Sequence, residues 1–478
     1  MLSTREKKPG QSYDFAVIAE PPFDVAIIGA GASGTLLAAQ LRRNAPVYSR
    51  LALVGTGNRG ARGIAYETAY RSHLLNVRAG NMSAFPDDMD HFVRWLGGRD
   101  TDAHVKTFAP RSVYGDYLAD ILNVPSMGLA PIQRFGAQAI DLTRSNEVWS
   151  VHLEDGSSIL ARTVVLALGN LPPEDPLKLK NKFVPGYLQN PWVPNLASGL
   201  AQNAPVLLIG TGLTMVDVIM SLREDGHRGH IYAISRHGRL PEEHLDFARR
   251  PIQKLPAGLD SPARVMRWLR REIEIAGREG YDWRAVIDGL RPHTSAIWGS
   301  WSLARRASFL RHARNLWDVH RHRIAPQIFT QIHELIAEGT LSIYRGRITS
   351  LYTTGQGLAV SWLPDGNSSL GILPAARVIN CTGPARDYSR VDLPIVASLR
   401  ESGWLTPDRL RLGVETDNDG RLLGVDGNPV DGLYTLGPLR IPGLWESIAI
   451  PEIRMQAATL ARLLISNTIH ISYSTHSR

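Results

Sequence analysis

The chain has very little cysteine and no long apolar run. Cys381 is its only cysteine among 478 residues, which excludes a disulfide scaffold, a C-x-x-C redox pair and a cysteine-rich zinc site. No window of about 18 apolar residues occurs, so no membrane span is predicted. The first apolar run, "FAVIA", is too short for a signal-peptide core. We therefore predict a disordered tail over residues 1–22 and a cytoplasmic protein.

The chain also lacks a block of consecutive basic residues, although its formal net charge is +8. Its arginines are spread through amphipathic stretches, which disfavours nucleic-acid binding. A solvated basic surface and an attraction to phosphate-bearing ligands both agree with this charge. Hydrophobic residues make up 44% and charged residues 21%, as is typical of a soluble globular protein.

A glycine turn follows the first apolar strand pattern, in "DVAIIGAGASG". Gly29, Gly31 and Gly34 have G-x-G-x-x-G spacing, between a predicted buried strand and a predicted helix. The first glycine permits the tight turn, the second lets the backbone approach a pyrophosphate, and the third lets the helix pack closely on the strand. Ser33 is a residue of the phosphate turn. This context predicts a dinucleotide site at the helix N-terminus.

A second turn, "VLLIGTGLTMVD", repeats this layout with Gly210 and Gly212. Met215 takes the third position, and its bulk is expected to hold the helix slightly away from the strand. The next strand pattern ends at Ser235, and Arg236 follows. An arginine there suits the 2′-phosphate of NADPH, with a surface turn residue as the alternative interpretation.

The first dinucleotide site lacks the acidic residue that such sites usually contain. The second strand of such a unit usually ends in an acidic residue that binds the adenosine ribose. Gly55 stands at that place in "LALVGTG". The ribose must then be held by backbone or by another side chain.

The order of patterns predicts an α/β fold with two Rossmann-like dinucleotide-binding domains, one inserted in the other. Apolar strand patterns reach Gly169, Gly383 and Gly437, and a helix pattern begins near Pro451. We expect a first domain from residues 23–174 and 346–478, and an inserted domain over 175–345. A helical segment over about 240–340, with Gly339 as a helix stop, belongs to the insertion. FAD in the first domain and NADPH in the second are the usual pair for two-electron redox chemistry.

Neither the histidines nor the cysteine indicates a further catalytic or metal-binding site. His320 and His322 are two residues apart, without a carboxylate at metal-ligand spacing, so a packed or solvated helix face is predicted and no metal site. Cys381 is expected to be a small core residue.

Longer motifs carry a family resemblance over about residues 24–464. They include "RGIAYET", "HLLNVRAGNMSAFPDD", "PRSVYGDYL", "ISRHGRLP", "WDVHRHR", "INCTGP" and "LWESIAIPEIRMQA". The chain resembles bacterial FAD/NAD(P)-binding proteins related to flavin-dependent monooxygenases, including the N-hydroxylating and flavin-containing branches. Together with the strand and helix patterns, the resemblance implies cofactor contacts at Gly29, Gly31, Ser33, Gly34, Asn76, Met82, Gly210, Gly212, Thr214, Ser235, Arg236, Gly383, Gly437 and Ile450.

The leading hypothesis is an NADPH-consuming, FAD-dependent monooxygenase. A C4a-hydroperoxide of the reduced flavin would oxygenate a small nucleophile, an amine nitrogen or a sulfur, with Asn76 as a hydrogen-bond donor near flavin N5. The expected partners are this small molecule and O₂, not nucleic acid or membrane. A flavin oxidoreductase with a non-oxygen acceptor and a dinucleotide-binding protein with little turnover are the alternatives. The sequence leaves the substrate and the oligomeric state open.

Overall fold

The structure is a computed structural model that describes residues 21–56, 62–125, 127–179, 183–355 and 357–475, with side chains up to residue 467. The tail predicted over residues 1–22 lies outside the described residues, except for its last two positions.

The described chain alternates strands and helices along most of its length. The strands are β1 Phe23–Ile28, β2 Leu51–Val54, β3 Ile132–Phe135, β4 Ala139–Ser145, β5 Val148–Leu153, β6 Ser158–Leu166, β7 Tyr187–Leu188, β8 Val206–Ile209, β9 Ile231–Ser235, β10 Leu341–Thr354, β11 Gly357–Pro364, β12 Gly371–Ala375, β13 Arg377–Asn380, β14 Arg421–Leu423 and β15 Pro429–Thr435. The α-helices are α1 Ala32–Asn44, α2 His91–Gly97, α3 Arg111–Asn123, α4 Leu213–Glu224, α5 Pro262–Arg278, α6 Trp283–Leu290, α7 Thr294–Ser300, α8 Leu303–His312, α9 Arg314–Arg321, α10 Pro326–Ala337, α11 Pro394–Glu401, α12 Ile441–Leu444 and α13 Ile450–Thr475. Short 3-10 helices cover Ala79–Asn81, Arg291–His293 and Gly437–Arg440.

Two sheets share one strand arrangement. The first has the order β14-β15-β6-β1-β2-β3, in which β15 to β3 are parallel and β14 is antiparallel. The β4–β5 hairpin joins it through β6. The second has the order β12-β11-β10-β9-β8-β13-β7, in which β10 to β7 are parallel and β11 and β12 are antiparallel. The predicted α/β fold with two Rossmann-like units is confirmed.

The central strands end in apolar runs before the glycine turns, VAII in β1 and VLLI in β8, because both of their faces are covered there. In β1, Val25 and Ile27 contact the core formed with α1, α3 and α13, whereas Ala26 and Ile28 face the opposite core. Strand β8 divides its side chains between two cores in the same way. This burial on both sides explains why each glycine turn follows a short, purely apolar run.

The predicted domain boundary at residue 345 is wrong. Strand β10 continues through Thr354 and pairs with β11, and β13 lies between β8 and β7. Strands β10 to β13 therefore belong to the second sheet, and the chain returns to the first domain after Asn380. An antiparallel bridge between Leu171 and Ala385 pairs the two connecting segments.

The predicted helical segment is present as α5 to α10, between β9 and β10. Helix α10 ends just before Gly339, whose φ of +72° suits a helix stop. The segment has its own aromatic core, which includes Trp298, Trp301 and Trp445. Trp445 follows α12, so this core joins the segment to the carboxyl-terminal part of the first domain. None of the described helices is long and apolar enough to cross a membrane.

Candidate active site between two glycine turns

The first glycine turn is built so tightly that two of its positions exclude any side chain. Gly29 has φ +114°, and a Cβ there would lie 2.3 Å from the Ala167 carbonyl oxygen. A Cβ on Gly34 would lie 1.9 Å from the Gly29 carbonyl oxygen. These distances are far below contact distance, so β1, β6 and the start of α1 can approach each other only because both residues are glycine.

The second turn repeats this geometry. Gly210 has φ +115°, and a Cβ there would lie 2.5 Å from the Cys381 carbonyl oxygen. Thus β13 has the place in the second domain that β6 has in the first. Met215 is fully buried in the core beside β8, so the helix accommodates its side chain. Cys381 is also buried in this core, as predicted, and burial raises the pKa of its thiol.

Both helices that follow these turns begin without a side-chain cap. Gly31 is the N-cap of α1 and Gly212 is the N-cap of α4, both with extended backbone. Neither first turn contains an acidic residue, and no described side chain caps either helix. The first amide groups of each helix are therefore available to bind a phosphate, favoured by the positive end of the helix dipole.

The missing acid at Gly55 has a steric explanation. A Cβ at Gly55 would lie 2.8 Å from the amide nitrogen of Ala30 and 2.9 Å from its Cβ. Any side chain at position 55 would displace the first glycine turn. The chain approaches the turn again at Gly63, where a Cβ would lie 3.0 Å from the Cα of Gly31, and Arg62 and Gly63 both line the space beside it.

One cavity of about 1010 Å³ extends between the two turns. Its wall includes most of the predicted cofactor-binding residues: Gly29, Gly31, Ser33, Asn76, Met82, Gly210, Gly212, Thr214, Ser235, Arg236, Gly383 and Ile450. Gly34 and Gly437 lie behind the wall. The amide of Gly437 donates a hydrogen bond to Gln456 Oε1 at 2.9 Å, and a Cβ on Gly437 would lie 2.7 Å from Ser33 Oγ. The roles of these residues in cofactor binding stay predictions.

Asn76 is held in place from the second domain. The His244 Nε2 donates a hydrogen bond to the Asn76 carbonyl oxygen at 3.0 Å, and the His244 ring packs against Phe108. Burial, together with the charge of Arg323, lowers the pKa of His244 to about 3. The imidazole is therefore neutral at physiological pH, and it fixes the backbone of Asn76 without adding charge to the cavity.

Basic side chains surround the end of β9 in the second domain. Ser235 Oγ lies 2.8 Å from Thr211 Oγ1 and accepts the amide of Gly238. The next residue, Arg236, is exposed and has no ion pair in the described part of the chain. Burial, and then the charges of Arg239, Arg236 and Arg345, lower the pKa of His237. Such an excess of positive charge suits a phosphate.

Sequence reasoning missed a nearly buried ion pair between the two domains. Arg111 Nη1, on α3, lies 2.7 Å from Asp217 Oδ2, on α4, and the two side chains are 13% and 8% exposed. His73 Nε2 contacts the Asp217 carbonyl oxygen and Ser221 Oγ at 2.9 and 2.8 Å. Arg111 and Asp217 belong to two recognised motifs, but nothing in either motif indicates that they pair.

The prediction that His320 and His322 lie on a packed or solvated helix face is correct only for His320. His320 packs on Trp283 and its Nδ1 lies 2.8 Å from the Leu316 carbonyl oxygen. His322 lies beyond the end of α9, with ψ 75°, and lines the cavity. Arg386, which was also missed, lines it too. His322 belongs to the motif "WDVHRHR" and Arg386 lies two residues after "INCTGP", but only the folded chain brings them together.

The start of α13 reaches the cavity through Ile450 and is attached to the helical segment. Glu452, in the first turn, lies 2.5 Å from Arg291 and 3.4 Å from Arg321. Arg321 also pairs with Glu446 at 3.3 Å. These buried pairs fix the helix end that faces the cavity, because breaking one of them would leave an uncompensated charge.

Comparison with known proteins agrees with this geometry. Residues 26–171 match the family model described as FAD-NAD(P)-binding. The uncharacterized protein of Mycobacterium tuberculosis strain H37Rv is 24% identical over an alignment of 537 residues, which covers 95% of this chain and 97% of that protein.

Solved structures with a similar fold include the following two enzymes. The ornithine N-hydroxylase of Kutzneria sp. 744, with reduced FAD, NADP⁺ and ornithine, matches with a TM-score of 0.66 and 12% identity over 94% of this chain and 100% of that chain. The bacillithiol disulfide reductase of Bacillus cereus has a TM-score of 0.54 and 13% identity over 94% and 100%. The predicted resemblance is confirmed at the level of the fold. The chain has the two-domain fold that these two enzymes share.

Proposed function

We propose that this protein is an FAD-dependent, NADPH-consuming monooxygenase that acts on a small nucleophilic substrate. The observation that carries the proposal is the pair of matched glycine turns, with φ +114° at Gly29 and +115° at Gly210, on one cavity. Two dinucleotides bound at these turns would have their reactive ends in the same space. A hydride could then pass between them within one chain.

The residues present fit one dinucleotide in each domain. At the first turn, the uncapped start of α1 and the bare Cα of Gly31 offer amide groups to a pyrophosphate, which supports FAD there. At the second turn, the start of α4 does the same, and the exposed Arg236 supplies a cation for the 2′-phosphate. This charge supports NADPH rather than NADH.

We further propose that the reaction is the oxygenation of an amine nitrogen or a sulfur. With FAD and NADPH bound, the flavin would supply the oxygen transfer through its C4a-hydroperoxide. The protein's part is to bind the substrate, exclude water and hold hydrogen-bonding groups in place. The neutral His244, which holds the backbone of Asn76, fits this role. The similarity of the fold to an ornithine N-hydroxylase supports the amine alternative.

Absorbance spectroscopy with two matched variants tests the cofactor proposal. Gly31→Ala and Gly212→Ala would both fold, because the nearest atom to the new Cβ is 3.5 Å away at Gly31 and none lies within 4 Å at Gly212. The first methyl group would block the FAD pyrophosphate, so G31A should purify colourless. The second would block NADPH, so G212A should be yellow but not reduced by NADPH. Retention of full flavin content by G31A would contradict the assignment of FAD to this turn.

Rapid mixing with O₂ tests the reaction. Wild-type protein reduced by NADPH should form a transient absorbing species typical of a flavin C4a adduct, and amines or thiols should accelerate NADPH oxidation without matching peroxide release. If all consumed NADPH appears as peroxide, and turnover proceeds instead with an artificial acceptor in the absence of O₂, the protein is a flavin oxidoreductase of another kind.

A further inference from the structure

One corner of the cavity carries a positive charge that has no direct ion pair among the described residues. Arg386 lines the cavity on the segment that returns from β13 to the first domain. Its guanidinium has no hydrogen bond or ion pair among the described residues. Burial, and then the charge of Arg314, lower the pKa of Arg386 to about 10, so the side chain is still cationic at neutral pH.

His322 shares this corner. It lines the same wall, and its imidazole nitrogens have no hydrogen-bond partner in the described part of the chain. Burial and the charge of Arg321 lower the pKa of His322 to about 3, and Arg386 contributes to the same shift. The neighbouring carboxylate of Asp318 is already paired with Arg314 at 3.3 Å. The corner therefore offers an unpaired cation and a neutral imidazole N–H.

The corner is connected to both domains. Helix α9, which ends just before His322, is attached to the second domain through Arg239 and Asn315 at 3.1 Å. On the other side it is attached to the start of α13 through Arg321 and Glu452 at 3.4 Å. The proposed phosphate sites are the starts of α1 and α4. A group bound in this corner would lie in the cavity that both glycine turns line.

We propose that Arg386 and His322 bind an oxyanion of the substrate, a carboxylate or a phosphate. The inference rests on the proposed function, and it narrows the substrate from any small nucleophile to one that carries a negative charge. Arg386 is half-buried in the cavity wall, and an oxyanion placed there would gain charge-assisted hydrogen bonds with its guanidinium. An uncharged or purely cationic amine would leave Arg386 without a partner or add a repulsion.

Binding measurements on the holoprotein test the proposal. With FAD bound and NADP⁺ saturating, calorimetric titration with propionate and with inorganic phosphate should show one oxyanion site per chain, whereas propylamine should not bind there. Arg386→Gln should weaken this binding by about tenfold or more, and Arg386→Lys should retain part of it. The matched control is Arg390→Gln, four residues further along the same segment. Its side chain is 56% exposed and pairs with Asp387, so this change should have no effect.

Two results would overturn the proposal. If neither anion binds, or if R386Q binds as tightly as wild type, the corner is not an oxyanion site. If NADP⁺ competes with the oxyanion and R386Q weakens NADP⁺ binding, the corner serves a phosphate of the dinucleotide instead. A protein that binds no FAD or NADP⁺ would refute the proposed function, but its titration with the same anions would still report on the corner.

Discussion

The ion pair between Arg111 and Asp217 is a nearly buried polar link between the two domains. It joins α3 of the first domain to α4, the helix of the second glycine turn, at 2.7 Å. Both side chains are nearly excluded from water, at 13% and 8% exposure. Arg111 also donates a hydrogen bond from Nε to the Leu74 carbonyl oxygen at 3.1 Å. Replacing either member by an apolar residue leaves the other charge buried and unpaired.

The burial of both side chains determines how much the free energy of unfolding should fall when one of them is replaced. Removing one partner of a buried pair typically costs about 3–5 kcal/mol, whereas replacing both by apolar residues of similar volume is often neutral. We therefore expect Arg111→Met and Asp217→Leu each to lower the free energy of unfolding by about 3 kcal/mol or more. The double variant should recover most of this loss. The control is Arg43→Met, since Arg43 pairs with Asp87 at the surface with 44% and 61% exposure, and such a pair contributes less than about 1 kcal/mol.

Urea unfolding followed by tryptophan fluorescence measures these differences, taken from the first transition because two domains need not unfold together. The double-mutant cycle isolates the interaction between the two side chains. Additive losses in the double variant, or single-variant losses as small as that of R43M, would refute the idea that this pair holds the domains together.

Three further predictions concern the turns and the histidine between the domains. Gly34→Ala should lower stability by about 3 kcal/mol or more, because its Cβ would lie 1.9 Å from a carbonyl oxygen; an unchanged melting temperature would contradict the close packing. Arg236→Glu should raise the KM for NADPH by about tenfold or more but not that for NADH, and equal effects on both would exclude a 2′-phosphate contact. Because the folded pKa of His244 is about 3 and its unfolded value about 6.5, its contribution to stability is present above pH 6.5 and is lost as the pH falls towards 3. Between pH 7.5 and 5 this loss is about 2 kcal/mol, and urea unfolding of His244→Gln should show a pH dependence weaker by that amount.

The glycine turns could be predicted from sequence because their physics is local. A short apolar strand, a glycine at fixed spacing and an amphipathic helix follow one another along the chain, and each forms for reasons contained within about 20 residues. The cavity wall at Gly29, Gly31, Gly210 and Gly212 follows directly from these patterns. The same is true of the helix stop at Gly339.

The second boundary and the interdomain contacts could not be predicted in this way. Strand β13 consists of four residues, and nothing in "RVIN" indicates whether it joins the first sheet or the second. Its place between β8 and β7 depends on partners about 170 to 190 positions away. The Arg111–Asp217 pair spans 106 positions, and the absence of an acid at Gly55 has its reason in the backbone of Ala30. Each of these features depends on contacts that exist only in the folded chain.

The connections from β2 to β3 and from β9 to β10 have equivalent places in the two domains but supply different side chains to the cavity. Cofactor binding and substrate choice should therefore depend on different parts of the chain. Between β2 and β3 the chain supplies Asn76, Met82 and Arg111 to the cavity, and between β9 and β10 it supplies Arg236 and His322. The turns would bind a dinucleotide through backbone amides, which any chain with the right glycines can offer. The connections present side chains to the space where the reaction would occur. Substrate specificity should therefore vary with the side chains of these two connections, whereas Gly29, Gly34 and Gly210 should stay the same, because a Cβ at any of these three would collide with a carbonyl oxygen.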